Sequence, residues 1–245
     1  MFTSAVRSVG CAVPEMHGGD GHHYRAAVRS PRPGADRGAR AFGGLCHALA
    51  MTSTARPDLP SADYRLHVVA TSIRLFAERG YDATTVDDVA AATGTSRRTL
   101  FRQFGSKEGL VFADHESLLE RVADHLADHA GTADPWTAVT DAAQLVFAHF
   151  AAGRDLAARR YAVVSQVPAL RDRELVTTLH YQRLFEDYLR VERPAASPTR
   201  VVAYAAAVTA VHNHLLRRMS RGDDAATAAV LSAELGRLRA VLSAD

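Results

Sequence analysis

TTVDDVAAATGTSRRTLFRQFGSK, residues 84–107, reads as two short helices joined by a glycine turn. Thr84 or Thr85 can cap the first helix. Its apolar Val86, Val89 and Ala90 fall at i, i+3 and i+4, and Asp87 and Asp88 suit its positive N-terminal end. Gly94 ends this helix, because a left-handed C-cap position costs glycine nothing. Ser96 caps a second helix, Arg97 to about Phe104, in which Leu100 and Phe104 lie one turn apart and face inward. Helical periodicity points Arg98 and Arg102 nearly opposite that apolar pair, with Thr99 beside them. The outward face thus carries two guanidiniums for guanine edges or phosphates, and a hydroxyl with a methyl for base or backbone. From Ser96 to Lys107 there are four basic residues and no acid, and Lys107, behind a capping Ser106, can reach a flanking phosphate. The pattern is that of a helix-turn-helix whose second helix enters the major groove of DNA.

The landmarks around this stretch resemble the DNA-binding domain of the TetR family of bacterial transcriptional regulators. They run from about Tyr64 to Leu110: IRLFAERG at Ile73–Gly80, YDATTVDDV at Tyr81–Val89, Ala90–Gly94, and TLFRQF at Thr99–Phe104 leading into Ser106, Lys107 and Glu108. Two positions depart from the family pattern. Thr95 stands where valine is usual, and Phe101 stands where tyrosine is usual, which removes one phenolic hydrogen bond to phosphate and keeps the aromatic packing. The resemblance implies an all-α protein of about nine helices that binds double-stranded operator DNA. Thr84, Thr85, Thr95, Ser96, Arg97, Arg98, Thr99, Phe101, Arg102 and Lys107 are the expected contacts.

Composition agrees with a helical protein. Apolar residues make up 47% of the 245, and alanine and leucine recur throughout. The longest apolar run, Val201–Val211, is too short to span a bilayer and ends at His212. Of the 29 basic residues only Lys107 is a lysine. Residues 1–50 hold half of the 16 glycines, both cysteines and a Pro-Arg-Pro-Gly stretch, with no helical period. Such a segment cannot bury enough apolar surface to offset its ordering entropy, so residues 1–60 are expected to be a disordered tail and linker. The tail carries six arginines against three acids, a net +3, and leaves residues 51–245 at −1 from 23 basic and 24 acidic side chains. The basic patch at Arg97–Lys107 is therefore local. Cys11, His17, His22, His23, Cys46 and His47 fit no zinc module, and Met51 reads as a natural start preceded by translated upstream sequence. The body beyond Met51 has no cysteine, which suits a reducing cytoplasm.

The first helix, about 62–79, carries Leu66, Val69, Ile73, Phe76 and Ala77 on one face and should pack over the helix-turn-helix, closing a DNA-binding domain at 61–107. The effector-binding and dimerisation body then occupies 108–245. A long helix is expected from Ser106 to about Ala130, with helices at 135–152, 154–166, 168–192, about 199–220 and 224–243.

Tyr204, Val208 and Leu215 stripe one of the last two helices, and Leu231, Leu235 and Leu238 the other. Antiparallel helices can bury such stripes against each other. The family resemblance implies instead that they form the interface of a homodimer, which would read a palindrome with two heads.

The resemblance also implies a pocket for a small apolar or amphipathic effector in the middle helices. Its candidate liners are Trp136, Phe147, Phe150, Tyr161, Gln166, His180, Tyr181 and Phe185, with His149, Tyr188, His212 and Asn213 also near.

His125 and His129, at i, i+4, could share a metal but lack a visible third ligand, so neither a metal nor a cofactor is called for. No Gly-x-Ser-x-Gly elbow, His-Glu-x-x-His or phosphate-cradling glycine loop is present, and an enzyme is not expected. The expected function is a ligand-released repressor. The alternatives are an activator or corepressor-dependent regulator, or a helical ligand-binding adaptor that has lost DNA binding.

Overall fold

Ser61 accepts a hydrogen bond from the Tyr64 amide and opens α1, Ala62–Arg79. A computed structural model describes residues 61–132 and 134–242 of the protein, and among these all regular structure is helical. The expectations for residues 1–60, including the tail, the start at Met51 and the cysteine–histidine readings, concern positions outside the described residues.

After α1 come α2, Val86–Thr93, α3, Arg97–Phe104, and α4, Lys107–Val111. Thr85 and Asp88 form a reciprocal capping box on α2, and Gly94 ends it at φ 66, ψ 26, the left-handed conformation that the turn requires. Ser96 caps α3 through the Thr99 amide, and Ser106 caps α4 through the Gly109 amide. Gly109 lets α4 lie against the end of α3, since a Cβ there would come within 2.0 Å of the Phe104 carbonyl oxygen.

The core beneath these four helices is built from Val69, Ile73, Phe76, Val89, Leu100 and Leu110. On α1 the inward face is rotated from the expected stripe: Leu66 is 41% exposed and Ala77 is exposed, while Val68 and Leu75 are buried. Arg65 accounts for part of the rotation. It is 2% exposed and donates to the Ala113 carbonyl at 3.1 Å, and it pairs with Glu116. The same core continues through Val111–Ala113 to Val163, Val164 and Leu170.

The remaining helices are α5, His115–Asp128, α6, Pro135–Ala152, α7, Arg154–Gln166, α8, Pro168–Glu192, α9, Pro198–Ser220, and α10, Ala228–Leu242. Ten helices are thus described against an expectation of nine, because the long helix from Ser106 is interrupted over Phe112–Asp114. Asp114 is 3% exposed and bound to Arg160 of α7, and the helix breaks where this tertiary pair holds the backbone. The last helix also begins four residues later than expected. Asp223 is engaged by Arg218 and by the Ala225 amide, and a turn precedes α10.

A second core fills the space between α5, α6, α8, α9 and α10. Trp136 stacks edge-on to Tyr204 at 4.5 Å between ring centroids, and the Tyr204 hydroxyl donates to the Trp136 carbonyl at 3.2 Å. Tyr204, Val208, Leu215, Leu231 and Leu235 are at most 2% exposed within this one chain, and Leu238 is half-buried against the same core. The resemblance implies a dimer interface for these side chains. Instead α9 and α10 bury them against each other and α6, where each leucine contributes about 1.5–3 kcal/mol. No helix among the described residues is long and apolar enough to cross a membrane.

Candidate functional site

The basic surface is built by α3, whose Leu100 is wholly buried and fixes which way the rest of the helix looks. Arg98 and Arg102 are exposed, and neither has an ion pair or hydrogen bond among the described residues. Arg97 is exposed too, but its guanidinium meets Asp87 of α2 at 2.9 Å and lies over the Phe101 ring at 5.3 Å. Exposed pairs of this kind hold a side chain weakly, and a phosphate can compete for Arg97. Phe101 is 39% exposed, an apolar side chain on the same face as the charges. Ser96 and Thr99 join their hydroxyls at 2.9 Å, and Thr95 is half-buried in the turn.

The other expected contacts look elsewhere. Thr84 is fully buried, and its hydroxyl donates to backbone carbonyls at Gly80 (2.9 Å) and Leu75 (3.3 Å), so it locks the end of α1. Thr85 is exposed, with its hydroxyl committed to Asp88 in the capping box. Lys107 points inward: its ammonium bonds the Tyr81 carbonyl and sits 4.0 Å from the Tyr81 ring centroid and 5.4 Å from that of Phe76. Burial lowers the Lys107 pKa, partly offset by Asp82 and Glu108. Helical periodicity could not reveal these inward partners, because Phe76 belongs to α1 and Tyr81 to the loop after it.

A cavity of about 840 Å³, counting its open mouth, lies between α6, α7, α8 and α9 beneath the end of α4. Four expected liners are on its wall: Phe150, Tyr161, Tyr181 and Phe185. Four are not. Trp136 and Phe147 are buried in the core, against Tyr204 and His212 respectively, Gln166 is exposed, and His180 is half-buried outside the lining. Of the four nearby candidates, His212 and Asn213 do line the cavity. The wall also holds His115, Arg160, Thr177 and Thr178, which the sequence reading did not select. No local sequence signal marks Arg160, because its partner Asp114 lies 46 residues away.

The polar side of the cavity is one network. Arg160 donates Nη2–H to Asp114 at 2.7 Å and Nη1–H towards His115 Nε2 at 3.4 Å. His115 then uses Nδ1–H towards the Tyr181 hydroxyl at 3.1 Å, and His149 Nε2 lies 3.3 Å from Asp114. Burial by itself would raise the Asp114 carboxyl, but the Arg160 guanidinium and the His149 hydrogen bond outweigh it and hold it well below the usual carboxylate range. Burial, with Arg160 alongside and against the pull of Asp114, pushes His115 down to about 3. Burial likewise puts His212 at about 4 despite its hydrogen bond to Asn213. Both imidazoles are neutral at physiological pH.

The sequence pattern of the bacterial regulatory proteins of the tetR family matches residues 68–113. A Mycobacterium tuberculosis protein named MftR, described as a transcriptional regulator, is 33% identical over 109 residues, which cover 43% of this chain and 53% of that protein. The HTH-type transcriptional repressor AcnR of Corynebacterium glutamicum is 35% identical over 77 residues, 31% of this chain and 40% of AcnR. The chain thus spans about half the length of the first relative and less of the second. The TetR family transcriptional regulator PfmR of Thermus thermophilus aligns in structure over 70% of this chain and 96% of its own, at a TM-score of 0.45 and 22% identity.

Proposed function

We propose that this chain, whose residues 68–113 match the tetR family of bacterial regulatory proteins, is a homodimeric transcriptional repressor, released from a palindromic operator by a small apolar or amphipathic effector. The observation that carries this reading is α3: a helix pinned by buried Leu100 that offers Arg98 and Arg102 outward with no competing partner among the described residues. Two such helices, one from each protomer, would enter successive major grooves of one DNA face in the cytoplasm. The reading head is residues 61–107 and the body 108–245.

The dimer uses the side of the last two helices opposite their apolar stripes. Ala203, Ala210 and His214 of α9 and Ala229, Ala233, Gly236 and Ala240 of α10 are exposed at helical spacing. Small side chains there let two pairs of helices approach closely.

The route from effector to DNA runs through the break between α4 and α5. Phe112 and Arg160 both line the cavity; Arg160 holds Asp114, and the neighbouring Ala113 carbonyl holds Arg65 of α1. An effector that displaces Arg160 or Phe112 therefore moves the support of the reading head. Linkage requires it to bind the non-DNA conformation more tightly, by about 1–3 kcal/mol for ordinary allosteric coupling.

The test is a mobility-shift titration against the DNA upstream of the gene and against genomic fragments selected by the protein, with nonspecific competitor. A discrete, competitor-resistant shift with two protomers per duplex supports the reading. If selection enriches no fragment, the adaptor alternative takes its place.

A further inference from the structure

The cavity's hydrogen-bonding and charge balance narrow the chemistry of its occupant. His212 is 6% exposed and lines the cavity, and its Nδ1 lies 3.1 Å from Asn213 Oδ1. That Asn213 amide is oriented by its own Nδ2, which donates to Thr178 at 3.3 Å. An amide oxygen only accepts, so the His212 proton sits on Nδ1 and the lone pair on Nε2. Nε2 is buried and has no hydrogen-bond partner among the described residues, and the same is true of the Nε–H donor of Arg160 in the same wall. A buried acceptor left without a donor has lost its water for nothing, and a ligand that supplies the donor restores that loss.

Charge is already balanced. Arg160 is neutralised by Asp114 at 2.7 Å, and at another part of the lining Arg217 is paired with Glu174 at 3.1 Å. A carboxylate brought into the cavity would meet arginines already neutralised by Asp114 and Glu174, and an ammonium would face the Arg160 guanidinium. The apolar part of the wall includes Phe112, Val146, Phe150, Val164, Phe185 and Leu216.

We propose, resting on the reading of this cavity as the effector site, that its ligand is an uncharged ring compound bearing a hydroxyl group, which donates to Nε2 of His212 while its rings pack on the phenylalanines. The hydroxyl oxygen remains free to accept from Arg160.

Three probes of one shape separate the contributions: naphthalene, 2-naphthol and 2-naphthoate, titrated into the full-length protein at neutral pH by fluorescence. The expected order is 2-naphthol tightest, about five- to tenfold over naphthalene for one buried hydrogen bond, with 2-naphthoate weakest. In His212→Phe the preference for 2-naphthol over naphthalene disappears. A second readout needs no variant: with ¹⁵N-histidine labelling, the Nε2 resonance of His212 shifts with 2-naphthol and not with naphthalene. Equal affinity for naphthalene and 2-naphthol, tighter binding of 2-naphthoate, or no binding of any probe would each overturn the proposal. DNA takes no part in these titrations, so their failure leaves the operator reading standing, and failure of operator selection leaves them interpretable.

Discussion

Removing the Arg160 guanidinium, as Arg160→Met, strands a buried carboxylate, and the cost can be bounded. Both partners of the pair are buried, with side chains 8% and 4% exposed and 2.7 Å between Nη2 and Oδ2. Breaking such a pair by removing one partner ordinarily costs about 3–5 kcal/mol. Without Arg160, Asp114 keeps His149 at 3.3 Å, and its Oδ1 already lacks a partner among the described residues. The stranded charge has an escape, since Asp114 can take up a proton. Neutralising a carboxyl of ordinary pKa costs about 4 kcal/mol at pH 7 and about 1.6 kcal/mol at pH 5, at ~1.36 kcal/mol per unit, so these values cap that part of the penalty. The folded variant then binds a proton that its unfolded chain does not bind, so it loses less relative to the parent as pH falls.

Asp114→Asn behaves differently, because it leaves a buried guanidinium that cannot deprotonate. Its cost, about 3 kcal/mol, should be the same at pH 7 and pH 5. Urea denaturation followed by circular dichroism at both pH values measures each. The expected result is a loss of about 3–4 kcal/mol for Arg160→Met at pH 7 that shrinks by about 2 kcal/mol at pH 5, with a flat cost for Asp114→Asn. Losses below about 1 kcal/mol for both, or identical pH profiles, would refute the buried-pair account.

Other parts of the fold lead to three further expected outcomes. Gly109→Ala places a Cβ within 2.0 Å of the Phe104 backbone oxygen, so it must push α4 off α3; DNA affinity and thermal stability should both fall, and an unchanged melting temperature would contradict the packing. His212 is neutral in the fold with a pKa of about 4 against an ordinary 6.5, so its contribution to stability is complete above about pH 6.5 and is lost as pH falls towards 4. That amounts to about 3 kcal/mol, and His212→Phe should flatten this limb of the stability–pH curve. Ala233→Glu places a charge on the exposed face of α10 and should yield a monomer in sedimentation, with helical content unchanged.

Much of the local structure was legible because it is set by near neighbours. Thr85, Ser96 and Ser106 cap the helices they precede, Gly94 takes the left-handed turn, and Pro135 and Pro168 open helices at N1. What was not legible depends on contacts distant in sequence. Nothing in VFADH, residues 111–115, announces a helix break; it follows from Asp114 meeting Arg160, 46 residues away. The stripes of α9 and α10 show which faces are apolar and cannot show whether the face opposite belongs to the same chain, so Tyr204 and Leu231 read as interface residues and lie in the core. At the candidate DNA surface the outward pair Arg98 and Arg102 followed from periodicity, whereas Lys107 turns inward towards a carbonyl supplied by the loop after α1.

The central claim is that α3 reads DNA through its outward arginines. The most direct test titrates the wild-type and Arg98→Ala proteins against a duplex selected from the genome and against its scrambled sequence, across a range of salt. The account predicts that the wild type favours the selected duplex by about a thousandfold or more, with affinity falling as salt rises. Arg98→Ala should lose about 1–3 kcal/mol on that duplex and relax its preference at one position. Equal binding of both duplexes by the wild type, or an Arg98→Ala protein with undiminished affinity and preference, would contradict it.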